Sequence, residues 1–302
     1  MLNVQLDVSR SILATEIGPP TVFQGRNSLK YEPNTGVRSG ASIGYRNIGL
    51  GFSSQGSAED VENRVSSKAQ DYSLRLLGKN SFDLSYQSAN GFYLLDSSGE
   101  FNSGYCRKPD MKMERTAFQW IHNFNSKDIS LPAMFNYSGW QKDSNWGFLF
   151  FANANQVNTS DPSTFIPPSL TTSFTEFANV TEVNRTSYGT GVGLSGALVC
   201  GGFQLAALLT VGTAYNSVNY SFLNASNEKI NGNSTTANIF LNAGYNGSRN
   251  QFGFSVFTSS NTIQRNIEKF EQSRSDFRFF YGYRFSDVNL GGAINGISSW
   301  LD

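Results

Sequence analysis

Charge is scarce in this chain. Asp, Glu, Lys and Arg make up 15% of its 302 residues, against roughly 25% in a typical soluble domain. The 23 basic and 23 acidic residues cancel, so the net charge implies no basic face for nucleic acid. Histidine occurs once, as His122, and any Ser–His or metal–His chemistry would have to use it. Two cysteines, Cys106 and Cys200, are too few for a disulfide scaffold and lack metal-site spacing. A long apolar run is also missing. Gly196–Gly212, the most apolar stretch, is shorter than the about 20 residues a spanning helix needs, is broken at Gly201-Gly202 and carries Gln204 and Thr210. It reads as two strands joined by a tight turn at Cys200–Gly202. Met1-Leu2-Asn3-Val4 lacks the basic start and apolar core of a secretory signal, so an exported protein is expected here in processed form.

Aromatics and glycine are plentiful: 25 Phe, 13 Tyr and 29 Gly. They are distributed with period two, the mark of strands with one apolar face. Ile48, Leu50 and Phe52 alternate with Gly49, Gly51 and Ser53, and Tyr72 and Leu74 with Ser73 and Arg75. Near the end, Phe277, Phe279, Tyr281, Tyr283 and Phe285 alternate with Arg278, Gly282 and Arg284. A soluble sandwich would fill the opposite faces with Lys and Glu. Here they carry Gly, Ser and Ala, which suits a membrane barrel with lipid outside and a crowded lumen inside.

The expected fold is therefore all-β: a single antiparallel transmembrane barrel of the bacterial outer-membrane type. Tight turns at Arg46-Asn47, Gly78–Asn80, Asn125–Lys127, Cys200–Gly202 and Gly247–Asn250 fit the periplasmic side. Long polar loops near 55–68, 95–111, 219–233 and 264–273 fit the extracellular side. Thirteen segments read as strands, among them 129–139. An even number is normal for such barrels. An extra ascending strand within 168–183 gives fourteen, and a misassigned neighbour would give twelve. Residues 26–285 form the barrel in this reading. Residues 1–25 are placed outside its wall or in the lumen, and 286–302 form a tail. An aromatic girdle is expected from Tyr45, Tyr86, Trp120, Phe124, Tyr137, Trp146, Tyr245 and Phe285.

With the strands in place, a series of small motifs resembles an uncharacterised family of outer-membrane barrels, domain of unknown function number 4421. The motifs are Lys30-Tyr31-Glu32-Pro33-Asn34-Thr35, Gly91-Phe92-Tyr93-Leu94, Arg107-Lys108-Pro109-Asp110, Trp140-Gln141-Lys142 and Phe279-Phe280-Tyr281-Gly282-Tyr283-Arg284-Phe285. The resemblance covers most of the chain and implies an outer-membrane location and a barrel, with no activity to carry over. The long 156–186 insertion and the tail after Phe285 depart from the pattern.

No catalytic centre, metal site or cofactor is expected. His122 shares parity with Phe118, Trp120 and Phe124 near a turn, which places it in the girdle. The position two residues on, where an outer-membrane phospholipase would carry serine, is Phe124. Glu59, Asp60, Glu62, Glu268 and Glu271 read as solvated loop acids, and both cysteines as unpaired thiols. The lumen face is richer. Lys30, Arg38, Arg75, Arg115, Arg278 and Arg284 share it with Glu32, Asp71, Asp83 and Asp276. Such charges either select small solutes or pair and close the lumen. The 156–186 segment, with Phe165, Phe174 and Phe177, is the candidate to fold inward. The leading reading is a passive channel for small polar or amphipathic solutes. A plugged structural or surface-interaction barrel is the alternative; a hydrophobic-ligand transporter and a lipid-modifying enzyme come behind. The expected partners are outer-membrane lipids, lipopolysaccharide and the barrel-assembly machinery.

Overall fold

Alternating apolar and small polar residues become strands throughout the computed structural model, which describes residues 2–18, 28–55, 65–95, 105–265, 268–286 and 288. In chain order the strands are β1 (Leu2–Gly18), β2 (Leu29–Pro33), β3 (Arg38–Tyr45), β4 (Ile48–Gln55), β5 (Lys68–Leu76), β6 (Asn80–Leu95) and β7 (Tyr105–Asn123). A short helix, α1 (Leu131–Phe135), precedes β8 (Asn145–Ser160). Then follow β9 (Val180–Cys200), β10 (Phe203–Phe222), β11 (Ala225–Asn246), β12 (Asn250–Arg265) and β13 (Glu268–Phe285). All pairings are antiparallel. β13 returns to β1 along its whole length, from Leu2↔Phe285 to Gly18↔Lys269, and closes the sheet into a barrel.

Burial is inverted relative to a soluble protein. Leu198 and Phe279, on the outer face, are each 64% exposed, while Asn3 and Gln5, on the inner face, are 1% and 3% exposed. An outer belt of Leu, Val, Ile, Phe and Tyr surrounds the wall. An apolar surface of this extent is tolerated in lipid and not in water.

The wall tapers. Near the rim that carries the short turns (the turn rim), β1 pairs with β3, and β4 and β5 lie between β3 and β6, so twelve strands close the ring. Towards the opposite, loop rim, β2 takes the place of β3. It pairs with β1 (Thr15↔Tyr31) on one side and with β6 (Pro33↔Phe92) on the other. Among the described residues the β4–β5 pair does not reach this level, so ten strands remain there. Barrel diameter grows roughly linearly with strand number, which makes the loop-rim ring about one-sixth narrower. Gly91 marks the change of partner. Its φ is +79°, and a Cβ there would lie 2.7 Å from the Ser66 carbonyl oxygen. The incoming chain is held by Ser67, whose hydroxyl donates to the Gly91 carbonyl at 2.6 Å and accepts from the Asn34 amide at 2.7 Å.

Several expectations are corrected. Residues 2–18 are not outside the wall but form β1, whose Leu2, Val4, Leu6 and Val8 alternate with Asn3, Gln5, Asp7 and Ser9; without it β3 and β13 would be open edges. Residues 129–139 are not a strand. Ser130 caps α1 by accepting from the Ala133 amide at 3.2 Å, and Pro132 sits in the first turn; both features favour a helix start over a ladder. No separate strand occurs within 168–183; only a single 3-10 turn (Pro168–Leu170) forms before β9 begins at Val180. Losing 129–139 and gaining β1 yields a twelve-strand wall plus one extra strand, not fourteen. Residues 219–233 are a hairpin of β10 and β11 that turns at Leu223-Asn224, and most of 264–273 belongs to β12 and β13. Of the expected loops 55–68 and 95–111, residues 56–64 (with Glu59, Asp60 and Glu62) and 96–104 lie outside the described residues, as does nearly all of the 286–302 tail, while 105–111 are not a loop but the start of β7.

Candidate functional site: a polar chamber between two inserted segments

Between β7 and β8 the chain turns back into the lumen and forms a turn-rim plug. Its apolar side, Ile129, Leu131 and Met134, packs on Ile121, Leu149, Phe151, Ala206, Leu208 and Phe240 of the wall. Its other side is polar. The Asn136 carbonyl accepts from Asn3 Nδ2 and Gln5 Nε2, both at 2.8 Å. Arg284 donates to the Tyr137 carbonyl at 2.5 Å and to the Gly247 carbonyl at 2.7 Å, and its guanidinium stacks 4.1 Å from the Trp140 ring centre. Tyr137 donates its hydroxyl to Asn242, and burial pushes its pKa up. Gly49 on β4 leaves room for Asn136, with whose side chain any Cβ would collide.

At the loop rim, residues 161–179 supply a second, apolar insert. Phe165, Ile166, Leu170, Phe174 and Phe177 cluster with Tyr31, Phe92, Met111, Val218, Tyr220 and Phe270. Phe177 stacks on Phe270 at 5.8 Å. Tyr31 donates to the Phe165 carbonyl at 2.6 Å, and the buried Lys108 ammonium lies 3.0 Å from Asp161. Part of 156–186 therefore does fold inward, while its two ends extend β8 and β9.

Between the plugs lies a chamber of about 290 Å³, whose wall carries serine, asparagine and charge. Arg75 pairs with Asp83 at 2.6 Å, and Arg278 with Asp7 at 3.2 Å. Arg38 pairs with Asp71, and Arg274 with Asp276. Arg278 also donates to Gln5 and Ser42, both at 3.1 Å. Arg75 lies 5.8 Å from the centre of the Phe135 ring, so one chamber cation rests on the turn-rim plug. Such pairs in a confined lumen gain more from Coulomb attraction than surface pairs but still carry desolvation costs.

The structure thus brings together Asp71, Arg75, Asp83, Arg115, Asp276 and Arg278 around the chamber, with Arg38 fully buried behind Asp71. Lys30 and Glu32 pair with each other at 2.5 Å on β2, and Arg284 lies under the turn-rim plug. Sequence reasoning missed Asp7, Arg185 and Arg274. Asp7 and Arg185 fell in segments read as lying outside the wall or in a loop. Arg274 shares the parity of Asp276 and Arg278 and was within reach of the same alternation. Of the expected girdle, Phe124 and Trp146 are each 63% exposed, Phe285 is exposed, and Tyr86, Trp120 and Tyr245 are half-buried. Tyr45 is buried, with the Arg46 guanidinium 5.6 Å from its ring. Tyr137 is not a girdle residue at all but part of the plug. His122 sits on the outer face, with Nδ1 2.9 Å from Asn80 Oδ1 and its ring 4.7 Å from Phe124. Cys106, at the loop-rim end of β7, and Cys200, the last residue of β9 before its turn, are free thiols.

A family model described as a domain of unknown function, DUF4421, matches residues 1–285. The chain belongs to the DUF4421 family. No curated protein matches this DUF4421 chain by sequence. Among solved structures, it is similar to the outer-membrane protease OmpT from Escherichia coli, with 11% identity and a TM-score of 0.43, covering 94% of this chain and 96% of that one. It is also similar to the toluene transporter TodX of P. putida, with 8% identity, a TM-score of 0.32 and coverage of 95% and 91%. A third likeness is to Ail, the attachment invasion locus protein of Yersinia pestis, with 13% identity, a TM-score of 0.28 and coverage of 69% and 99%. These likenesses are of architecture alone. In the DUF4421 barrel itself, the chamber can hold a small solute by hydrogen bonds and charge, with apolar packing above it and a hydrogen-bonded floor below.

Proposed function

We propose that this barrel sits in the bacterial outer membrane and is a gated conduit for small polar solutes, with its turn rim on the periplasmic side. The observation that carries the proposal is the asymmetric seating of the turn-rim plug. Its apolar cluster packs on β7 to β11, with hydrogen bonds from Gln204 and Asn246 added there, while the side facing β1 and β13 is held mainly by hydrogen bonds to Asn3, Gln5 and Arg284, beside one ring contact of Tyr137 with Phe280. Hydrogen bonds exchange with water at a net cost of about 1 kcal/mol each for the neutral Asn3 and Gln5 and about 1.5–3 kcal/mol for the charged Arg284. The polar side therefore releases more readily than the apolar side, and the plug swings from a fixed edge. The chamber behind it is lined with polar and charged groups, as a solute path requires.

Single-channel recording in planar bilayers tests this. The wild-type barrel is expected to be mostly shut with brief openings, and the Arg284→Ala variant to be open for longer. Folded barrels of both kinds with no conductance at any voltage would refute the conduit. The apolar anchor of the plug favours one other reading, a permanently closed structural barrel, and that result would establish it.

A further inference from the structure

We infer that the chamber holds a binding site for a small hydroxylated carboxylate, gripped by Arg115 and Arg185. The chamber wall carries four carboxylates and five guanidinium groups. Every carboxylate already has an arginine: Asp7 with Arg278, Asp71 with Arg38, Asp83 with Arg75, and Asp276 with Arg274. Two cations are left over. Among the described residues, neither Arg115 nor Arg185 has a carboxylate within ion-pair distance.

Their surroundings differ in a useful way. Arg115 donates only to neutral amides, Gln87 at 3.1 Å and Asn155 at 3.0 Å. Arg185 is 4% exposed, and its Nε and Nη1 have no hydrogen-bond partner. A buried guanidinium with idle donors is costly unless an acceptor meets it. Arginine's fork matches a carboxylate in geometry. The two residues lie on one row of the sheet, Arg115↔Val157↔Arg185, two strands apart. That places their α-carbons about 10 Å from each other, within the span of two arginine side chains closing on one anion. Val157 between them offers no competing acceptor, and Val218, opposite Arg185 on β10, is equally apolar and buried. The hydroxyls and amides of the remaining wall suit the hydroxyl groups of a polyol chain.

The inference deepens the conduit reading by naming its solute class, but it stands on binding and not on flux. Gluconate is the probe, with glucose as its neutral counterpart. The purified barrel is unfolded in urea and refolded into detergent micelles with either compound present, so the site fills before the plugs seat. Gluconate is expected to raise Tm in a concentration-dependent way that chloride weakens, with glucose far less effective. Replacing one gripping arginine removes a charge-assisted contact, so Arg115→Gln and Arg185→Gln should each raise the gluconate needed by about tenfold. Arg46→Gln, on an exposed turn, should change nothing. Equal shifts with glucose and gluconate, an Arg115→Gln or Arg185→Gln barrel that responds like wild type, or no shift at all would each overturn the site. If Arg185→Gln does not refold, Arg185→Lys keeps the charge but loses the fork and should still weaken gluconate. A barrel that binds gluconate and never conducts would retain this inference while refuting the conduit. Conductance without gluconate binding would do the reverse.

Discussion

Arg284 Nη2 donates to the carbonyl of Tyr137 at 2.5 Å, joining the last wall strand to the segment that fills the lumen near the turn rim. The same guanidinium also reaches Gly247 and Asn246, both at 2.7 Å. One residue thereby ties the plug to the β11–β12 turn and to β13.

Arg284→Ala should therefore destabilise the barrel as well as loosen the plug. It leaves buried carbonyls without a donor, a loss of about 3 kcal/mol. The folded band on unheated gels should persist, with its conversion to the unfolded position at lower temperature than wild type. An unchanged transition would mean that water replaces the guanidinium without penalty.

Tyr137 gives the plug a pH dependence. Burial raises its folded pKa, so the folded state keeps the phenol protonated where the unfolded chain begins to ionise, near pH 10. The stabilisation is complete below that pH and is lost as pH rises from there towards the folded value. Tyr137→Phe should be less stable than wild type at pH 8, through loss of the bond to Asn242, yet lose less further stability in alkali. Melting curves of both proteins at the two pH extremes check this; parallel declines would show that other groups govern the alkaline limit.

The wall was largely legible in the sequence, because lipid on one side and a crowded lumen on the other enforce a strict alternation. Leu2, Val4, Leu6 and Val8 obey it as well as Phe277 to Phe285 do, so β1 was within reach of the same rule. The plug was not legible by the same rule. Ile129, Leu131, Phe135 and Tyr137 share a parity, but a short helix over Leu131–Phe135 and the positive φ of Tyr137 (+53°) break the strand they imitate. Ser130 followed by Pro132 was the contrary signal. Ion pairing in the chamber was not readable either, since parity assigns a face but not a partner across strands. Arg38 and Asp71, for example, lie on strands separated by β4.

Gly91→Ala probes the taper. Alanine at φ +79° is strained, and its Cβ would press on the Ser66 carbonyl. A destabilisation of about 1–3 kcal/mol is expected, measured by urea unfolding in micelles. A neutral result would show that the crossing at Ser67 relaxes freely.

The two thiols report orientation. Cys200 is exposed in a turn-rim hairpin and Cys106 is half-buried at the other end. A maleimide that cannot cross membranes should leave Cys200 unlabelled in intact cells and label it once the outer membrane is permeabilised. Labelling of Cys200 in intact cells would reverse the assignment of rims.

The seam between β1 and β13 joins residues from opposite ends of the sequence, Leu2 to Phe285. It is the last part of the wall that a growing chain can complete. The plug lies mid-chain and bonds to Asn3 and Gln5 on one lip of that seam and to Arg284 on the other. A barrel zipped shut around an empty lumen would deprive Asn3 and Gln5 of the Asn136 carbonyl and Arg284 of the Tyr137 carbonyl. Closure of the sheet and seating of the inserted segment are thus coupled through the two strands that form the seam.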